Sequence, residues 1–229
     1  MLRHNRREIV KDKNRTINGA LTHLNYYLTP ERPGVSELEY FKRRKEEVYC
    51  YGRDDVKVLA GWVCPLPIGI SDWAKQKQFF EVTYSFLAER YGIQNVVQAV
   101  VHYDECIMTP KRDLSGKVLC DDSGQAEMEI FSGRPHLHFC FMPIVSDNNP
   151  KHTQAEKLCA NEVLCPQELK NFHSDYQKYL EEHGIYARIA NRMAVDNCPW
   201  ADPKNDGEKS KIQLLREEIQ KSRQWAAKK

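Results

Sequence analysis

Apolar residues recur at two different periods along this chain, and the changes of period mark its elements. Residues 36–48 place Leu38, Phe41 and Val48 among charges and read as a helix. The run Val56–Cys64 (VKVLAGWVC) reads as a strand, stopped by Pro65 and Pro67. A long helix follows, with Ser71 as its cap. Trp73, Phe79, Phe80, Val82, Tyr84, Phe86 and Leu87 stand at helical spacing up to Tyr91-Gly92. Asn95–Tyr103 (NVVQAVVHY) and Pro135–Val145 (PHLHFCFMPIV) read as strands. Between them, the polar stretch 107–134 contains Pro110, Gly116, Gly124 and Gly133 and alternates weakly, which predicts a hairpin-like insertion before the HxH strand. Pro166–Glu182 is helical, with Leu169, Phe172, Tyr176 and Leu180 on one face and Gly184 at its end. The predicted class is α+β, a central antiparallel sheet flanked by helices. Residues 1–201 form one domain, and the Lys/Glu-rich stretch 202–229 a helical tail that docks or leads into a further segment.

Strand parity locates the candidate chemistry, because residues two apart in a strand share a face. In Asn95–Tyr103 the odd positions Val97, Ala99, Val101 and Tyr103 are apolar, and the even ones are Val96, Gln98, Val100 and His102. In the later strand Leu137, Phe139 and Phe141 form the apolar stripe, opposite His136, His138, Cys140 and Met142. If the two strands are neighbours, three imidazoles converge. Three such ligands with open coordination positions mark a catalytic metal site rather than a structural one. Asp104 and Glu105 stand beside His102, where carboxylates orient ligands or complete the shell. At this level hydrolase, oxygenase and nuclease chemistry all fit.

Composition narrows the picture little. The chain has 229 residues, 41% hydrophobic and 29% charged, with a net charge of +2, as expected of a soluble globular protein. No apolar run is long enough to span a membrane, and the N-terminus has no secretory pattern, so a cytoplasmic location is expected. The eight cysteines are scattered with no CxxC pair, which reads as reduced structural thiols. Charge distribution says more than net charge. Arg3, Arg6, Arg7, Lys11, Lys13 and Arg15 crowd the first fifteen residues, and Lys42, Arg43, Arg44 and Lys45 form a second basic cluster suited to phosphates.

Four segments resemble one family in order: HNRR at 4–7, NRTINGALTHLNYYL at 14–28, HYDE at 102–105 with PHLHFCFMP at 135–143, and LCANEVLCPQELKNFHSDYQKYLEEHG at 158–184. Together they resemble the Mob/Pre plasmid relaxases, the histidine-nucleophile branch of the HUH endonuclease superfamily. The resemblance implies that His102, His136 and His138 hold a divalent metal, Mn²⁺ or else Mg²⁺, with Glu105 as an auxiliary ligand or base. It places His4 at the nucleophile and Arg7 at an accompanying arginine that forks onto phosphate, with Tyr26 the rival nucleophile. It implies single-stranded or hairpin DNA at an origin of transfer as substrate. Arg3, Arg6, Arg7, Lys11, Arg15 and Asn25 are the expected DNA contacts, and a homodimer through a C-terminal extension is a further expectation. Two departures stand out. Relatives carry more residues ahead of the HNxR motif, and they have a short link where this chain has 107–134. A non-catalytic origin-binding module of the same fold is the alternative, and an unrelated histidine-triad metallohydrolase a more distant one.

Overall fold

A computed structural model describes residues 2–7 and 17–189, with the side chains of Arg3 and His4 outside that description. The elements follow in chain order. A short helix α1 (Leu2–Asn5) and a two-residue strand β1 (Tyr26–Tyr27) precede helix α2 (Glu37–Glu47) and strand β2 (Ala60–Pro65). Helix α3 (Trp73–Tyr91) leads to β3 (Val96–His102), then the pair β4 (Cys106–Pro110) and β5 (Met128–Ser132), then β6 (His136–Phe141). A second pair, β7 (Ile144–Ser146) and β8 (Glu156–Leu158), precedes α4 (Ala160–Val163) and α5 (Pro166–Glu182). The central sheet has the order β1-β3-β6-β2 and every pairing is antiparallel. This is the α+β plan expected from the sequence. No helix among the described residues is long and apolar enough to cross a membrane.

Helices α3 and α5 cover one face of the sheet. Leu137, Phe139, Ala99 and Val101 are sealed from solvent there, and Tyr91 stacks on Phe141 at 4.2 Å between ring centres. Trp62 of β2 lies flat on Phe172 of α5 at 3.9 Å and donates its indole N–H to the Tyr91 hydroxyl. Tyr91 in turn donates to Glu168, which Arg90 grips with two bonds of 2.7 Å. One polar chain thus ties β2, α3 and α5 together where their apolar faces meet, leaving no buried partner unmatched.

On the opposite face, Val48, Val97, Met142 and Leu158 form a second buried cluster, with Leu2 and Phe41 packed against it. Val97 is therefore not on the stripe of Ala99 and Val101 as strict alternation predicts. A register shift between Val96 and Gln98 inserts an extra residue in β3, and such a bulge reverses parity on its far side. Val96, which pairs with Phe141, takes the vacated place.

Three boundaries also moved, each for a local reason. Asp72, rather than Ser71, caps α3 by accepting from the Lys75 amide. The strand predicted from Val56 begins at Ala60. The strand predicted over Pro135–Val145 breaks at Pro143, whose nitrogen has no proton for a ladder, and the chain continues as β7 in a separate pair. The helix over Pro166–Glu182 matches in full, with Gly184 at φ 76° closing it. The tail 202–229 lies outside the described residues.

The insertion is a β-ribbon. β4 pairs with β5 from Cys106–Ser132 out to Pro110–Met128. Its outer part makes two turns of one design, in which Asp113 and Asp121 each accept from the amide and hydroxyl of the serine two residues on. Phe139 makes the central packing testable. Replacing it with alanine leaves a cavity at the middle of the sheet, and equilibrium urea unfolding is expected to show a loss of about 3–5 kcal/mol.

Candidate metal centre

The site forms where the sheet's histidine-bearing face meets the N-terminal segment. Cα partners across antiparallel strands share a face, and His102 stands opposite His136 while His138 stands opposite Val100. The three imidazoles are mutually within 5.7 Å between ring centres. Glu105, just past the end of β3, turns back so that one ligand atom from each of His102, Glu105, His136 and His138 lies within 4.8 Å of the others.

Backbone carbonyls decide which imidazole nitrogens are free. The Asn5 carbonyl can only accept, so His102 must donate Nε2–H to it at 2.8 Å. That leaves His102 Nδ1 as a lone pair facing the Glu105 carboxylate at 3.3 Å, buried and without a hydrogen-bond partner among the described residues. Likewise His136 donates Nδ1–H to the Arg134 carbonyl at 2.9 Å, freeing Nε2, which lies 3.3 Å from Glu105 and 2.9 Å from His138 Nε2. Lone pairs and a carboxylate converging in a buried space repel one another, and a cation is what removes the conflict. Carbonyl-oriented imidazoles are also the usual outer shell of a metal-binding histidine.

Electrostatics fit the same reading. Burial, then the neighbouring His136 and His102 imidazoles, push the His138 pKa down to about 4, so this imidazole stays in its neutral, ligating form. Burial lowers that of His136, but the Glu105 carboxylate and the Arg134 carbonyl outweigh it and leave it raised. The facing His102 and His136 imidazoles, with Arg7 behind them, hold Glu105 far below the ordinary carboxylate range. The donor set of three nitrogens and one carboxylate oxygen accommodates a divalent transition metal.

Asp104 is fully buried and holds the surroundings together. Arg7 grips it with Nε at 3.0 Å and Nη2 at 2.5 Å, and extends Nη2 to Glu105 at 3.1 Å. Thr22 donates its hydroxyl to the same carboxylate at 2.9 Å. Burial works against the charged form, yet Arg7, Asn25 and Thr22 together keep the Asp104 pKa below its usual value. Gly133 closes the ribbon against this corner by donating its amide to the Glu105 carbonyl at 2.7 Å. A Cβ at Gly133 would stand 2.4 Å from that carbonyl oxygen, so only glycine fits without displacing Glu105.

The sequence-derived candidates therefore divide. His102, His136, His138 and Glu105 come together. Arg7 joins them, as the ion-pair partner of Asp104 and Glu105. Tyr26 does not join. Its Cα partner is Val101, which faces α3, so its ring lies on the other side of the sheet from the histidines. There it neighbours Tyr103 and Lys77, and burial raises its pKa while leaving the hydroxyl without a hydrogen-bond partner among the described residues. Asn25 accepts from the Tyr103 amide at 2.7 Å, so its oxygen is engaged within the fold. Arg6 remains at the surface beside Glu37 and Tyr27. Lys11, Arg15 and the side chains of Arg3 and His4 lie outside the described residues. Asn5 was not singled out from the sequence, although it lies inside the HNRR motif. Its side chain bonds Gln98, the one neutral polar residue on the histidine side of β3.

An antiparallel sheet with three imidazoles and a carboxylate at its centre, held by a buried ion pair from an N-terminal segment, defines a metal-site α+β protein. The same fold occurs in crystal structures of the MobM relaxase domain in its manganese-bound form with plasmid pMV158 oriT DNA. For one of them the TM-score is 0.60 at 22% identity, over 94% of this chain and 89% of that one. The plasmid recombination enzyme (Mob/Pre) family matches residues 70–188, and this chain belongs to that family. A plasmid recombination enzyme of Streptococcus agalactiae is 24% identical over 189 residues, covering 80% of this chain and 31% of its own length. Another, from a Bacillus species, is 31% identical over 160 residues, covering 66% of this chain and 35% of its own. The chain thus spans about a third of the length of these curated relatives.

Asp104→Asn is expected to cost about 3–5 kcal/mol in urea unfolding, because it leaves Arg7 part-buried without its principal anion. Asp104 has its pKa lowered by folding, so its contribution is present above the unfolded value of about 4 and fades as pH falls through the folded one. The wild-type protein should accordingly lose stability on the acid side faster than the Asn variant.

Proposed function

We propose that this chain is the nicking domain of a relaxase: a metal-dependent enzyme that cuts one DNA strand at an origin of transfer and keeps the 5′-phosphate on a histidine. The observation that carries this reading is the convergence of the His102 Nδ1 and His136 Nε2 lone pairs with His138 Nε2 and Glu105, on the face against which α1 is pinned. Family membership and the manganese- and DNA-bound relatives of the same fold support it.

The residues present are suited to hold Mn²⁺, and a divalent ion bound there would draw charge from a non-bridging phosphate oxygen as the phosphorus is attacked. His4 precedes Asn5, whose carbonyl binds His102, so its backbone is fixed beside the metal ligands. A neutral His4 nitrogen attacks phosphorus in line; the P–N bond forms as the P–O3′ bond breaks, and the departing 3′ oxygen takes a proton from water. The phosphoramidate keeps the bond energy, so attack by a 3′-hydroxyl reverses the step and rejoins strands. Glu105 and Asp104 supply the negative charge that balances Arg7 and the cation, and Arg7 acts as a positioning residue. The position of Tyr26 on the far face, with a buried hydroxyl, supports leaving it out of this chemistry.

Metal binding is testable without substrate. Mn²⁺ at about 100 times its Kd should stabilise the folded protein by about 2.7 kcal/mol in thermal unfolding. His136→Ala and His138→Ala are each expected to abolish that shift. The affinity should fall as pH falls through the raised His136 pKa, because a protonated imidazole must release its proton to ligate.

The nucleophile has its own assay. With Mn²⁺ and labelled oligonucleotides carrying the cognate nick region, the wild type and Tyr26→Phe should both form a covalent adduct on denaturing gels, whereas His4→Ala should form none. An adduct that survives His4→Ala, or no adduct with the wild type, contradicts the histidine mechanism. The latter result with intact DNA binding favours the non-catalytic origin-binding module.

A further inference from the structure

Gln98 is the one residue of β3 ahead of His102 with a polar side chain, and it is completely sealed from solvent. An amide inside a sheet is tolerated only when its donor and its acceptor are both matched. Both partners here come from α1. The Leu2 carbonyl can only accept, so it takes an N–H from Gln98 Nε2 at 3.2 Å. That orientation turns Gln98 Oε1 to Asn5, whose Nδ2 donates to it at 3.0 Å.

Helix α1 has four residues, and a single helical turn is not stable by itself. Its placement must come from the sheet. The Leu2 side chain packs on the cluster of Val48, Val97, Met142 and Leu158, but apolar contact is non-directional and leaves rotation and slide open. The Gln98 amide removes that freedom. It holds the turn at two points, one two residues before His4 and one immediately after it.

Asn5 carries the connection on to the metal centre. Its side chain meets Gln98 while its carbonyl receives the His102 Nε2–H at 2.8 Å. Gln98 and His102 lie on one face of β3, paired to Cys140 and His136. The residue next to His4 is thus bonded at once to a metal-site histidine and to the buried amide on the same strand. In-line attack depends on such placement, since a shift of about 1 Å in reacting atoms can cost roughly 100-fold in rate.

We infer that Gln98 is a positioning residue for the nucleophile, its buried amide fixing the turn that carries His4 in one frame with the metal ligands. The inference rests on the proposed attack by His4 and adds what aligns it.

Single-turnover adduct formation at saturating Mn²⁺ and labelled cognate strand tests it, beside the Mn²⁺ thermal shift and strand affinity by fluorescence anisotropy. Gln98→Met nearly keeps the volume and removes both hydrogen bonds. It should form adduct at least about tenfold more slowly than wild type, with both affinities kept within about twofold. Gln98→Glu separates alignment from folding. Its protonated carboxyl accepts from Asn5 and donates to the Leu2 carbonyl as the amide does, whereas the ionised form turns negative charge on that carbonyl. Burial favours the protonated form, so the Gln98→Glu rate relative to wild type should climb as pH falls from about 8 to about 6. The Gln98→Met ratio should stay level over the same range. A wild-type adduct rate in folded Gln98→Met overturns the inference and leaves the relaxase reading standing. So does a slower rate matched by an equal loss of Mn²⁺ or strand affinity, which makes Gln98 a part of the fold alone. If Gln98→Met does not fold, the Gln98→Glu ratio decides: a rising one supports the alignment role and a level one overturns it. A wild type that forms no adduct, or an adduct that survives His4→Ala, overturns the histidine mechanism and this inference with it.

Discussion

The buried pair between Arg7 and Asp104 is the constraint on which the site depends. A carboxylate with no exposure at the end of a central strand is tolerable only when its oxygens are matched, and here the partners come from segments far apart in sequence. Arg7 arrives from the end of α1, and Thr22 and Asn25 from the turn before β1. Satisfying Asp104 therefore brings together three of the four segments on which the family resemblance rested. Such pairs contribute little net stability compared with an apolar replacement, but they strongly penalise any arrangement that leaves one charge alone. The pair is best understood as fixing a register between α1 and the sheet.

That register has a chemical consequence. With α1 in place, the Asn5 carbonyl stands over His102 and selects the tautomer that points a lone pair inward. The Arg134 carbonyl does the same for His136 on the neighbouring strand. The fold thus presents nitrogen lone pairs before any cation is present, and Arg7 restrains Glu105 at the same time. The ribbon's return through Gly133 leaves no room for the Glu105 backbone to move away. Preorganisation of this kind means that little rearrangement is needed when a ligand binds.

Much of this was legible in the sequence, for identifiable reasons. Alternation along two strands located the three histidines, since β3 and β6 are regular from Gln98 onward and paired as expected. The bulge that moves Val97 was not legible, because an extra residue leaves no mark when every nearby side chain is apolar. The pairing of Arg7 with Asp104 was not legible. An arginine near a phosphate site and an arginine serving a buried aspartate look alike until the pairing is known. Tyr26 and Tyr27 are adjacent and chemically alike, and only their pairing to Val101 and Val100 separates the helix-covered face from the histidine face. The basic cluster at residues 42–45 was visible as charge, but its neutralisation was not, because Arg44 meets Glu156 only through tertiary contact.

The central claim is that backbone carbonyls direct one defined nitrogen of His102 and one of His136 at a metal shared with His138 and Glu105. Anomalous diffraction at the manganese edge, from crystals grown with Mn²⁺, tests this most directly. The account predicts a single strong peak about 2 Å from His102 Nδ1, His136 Nε2 and His138 Nε2, with Glu105 adjacent. A peak bound through His102 Nε2, or one elsewhere with the three histidines unligated, would contradict it.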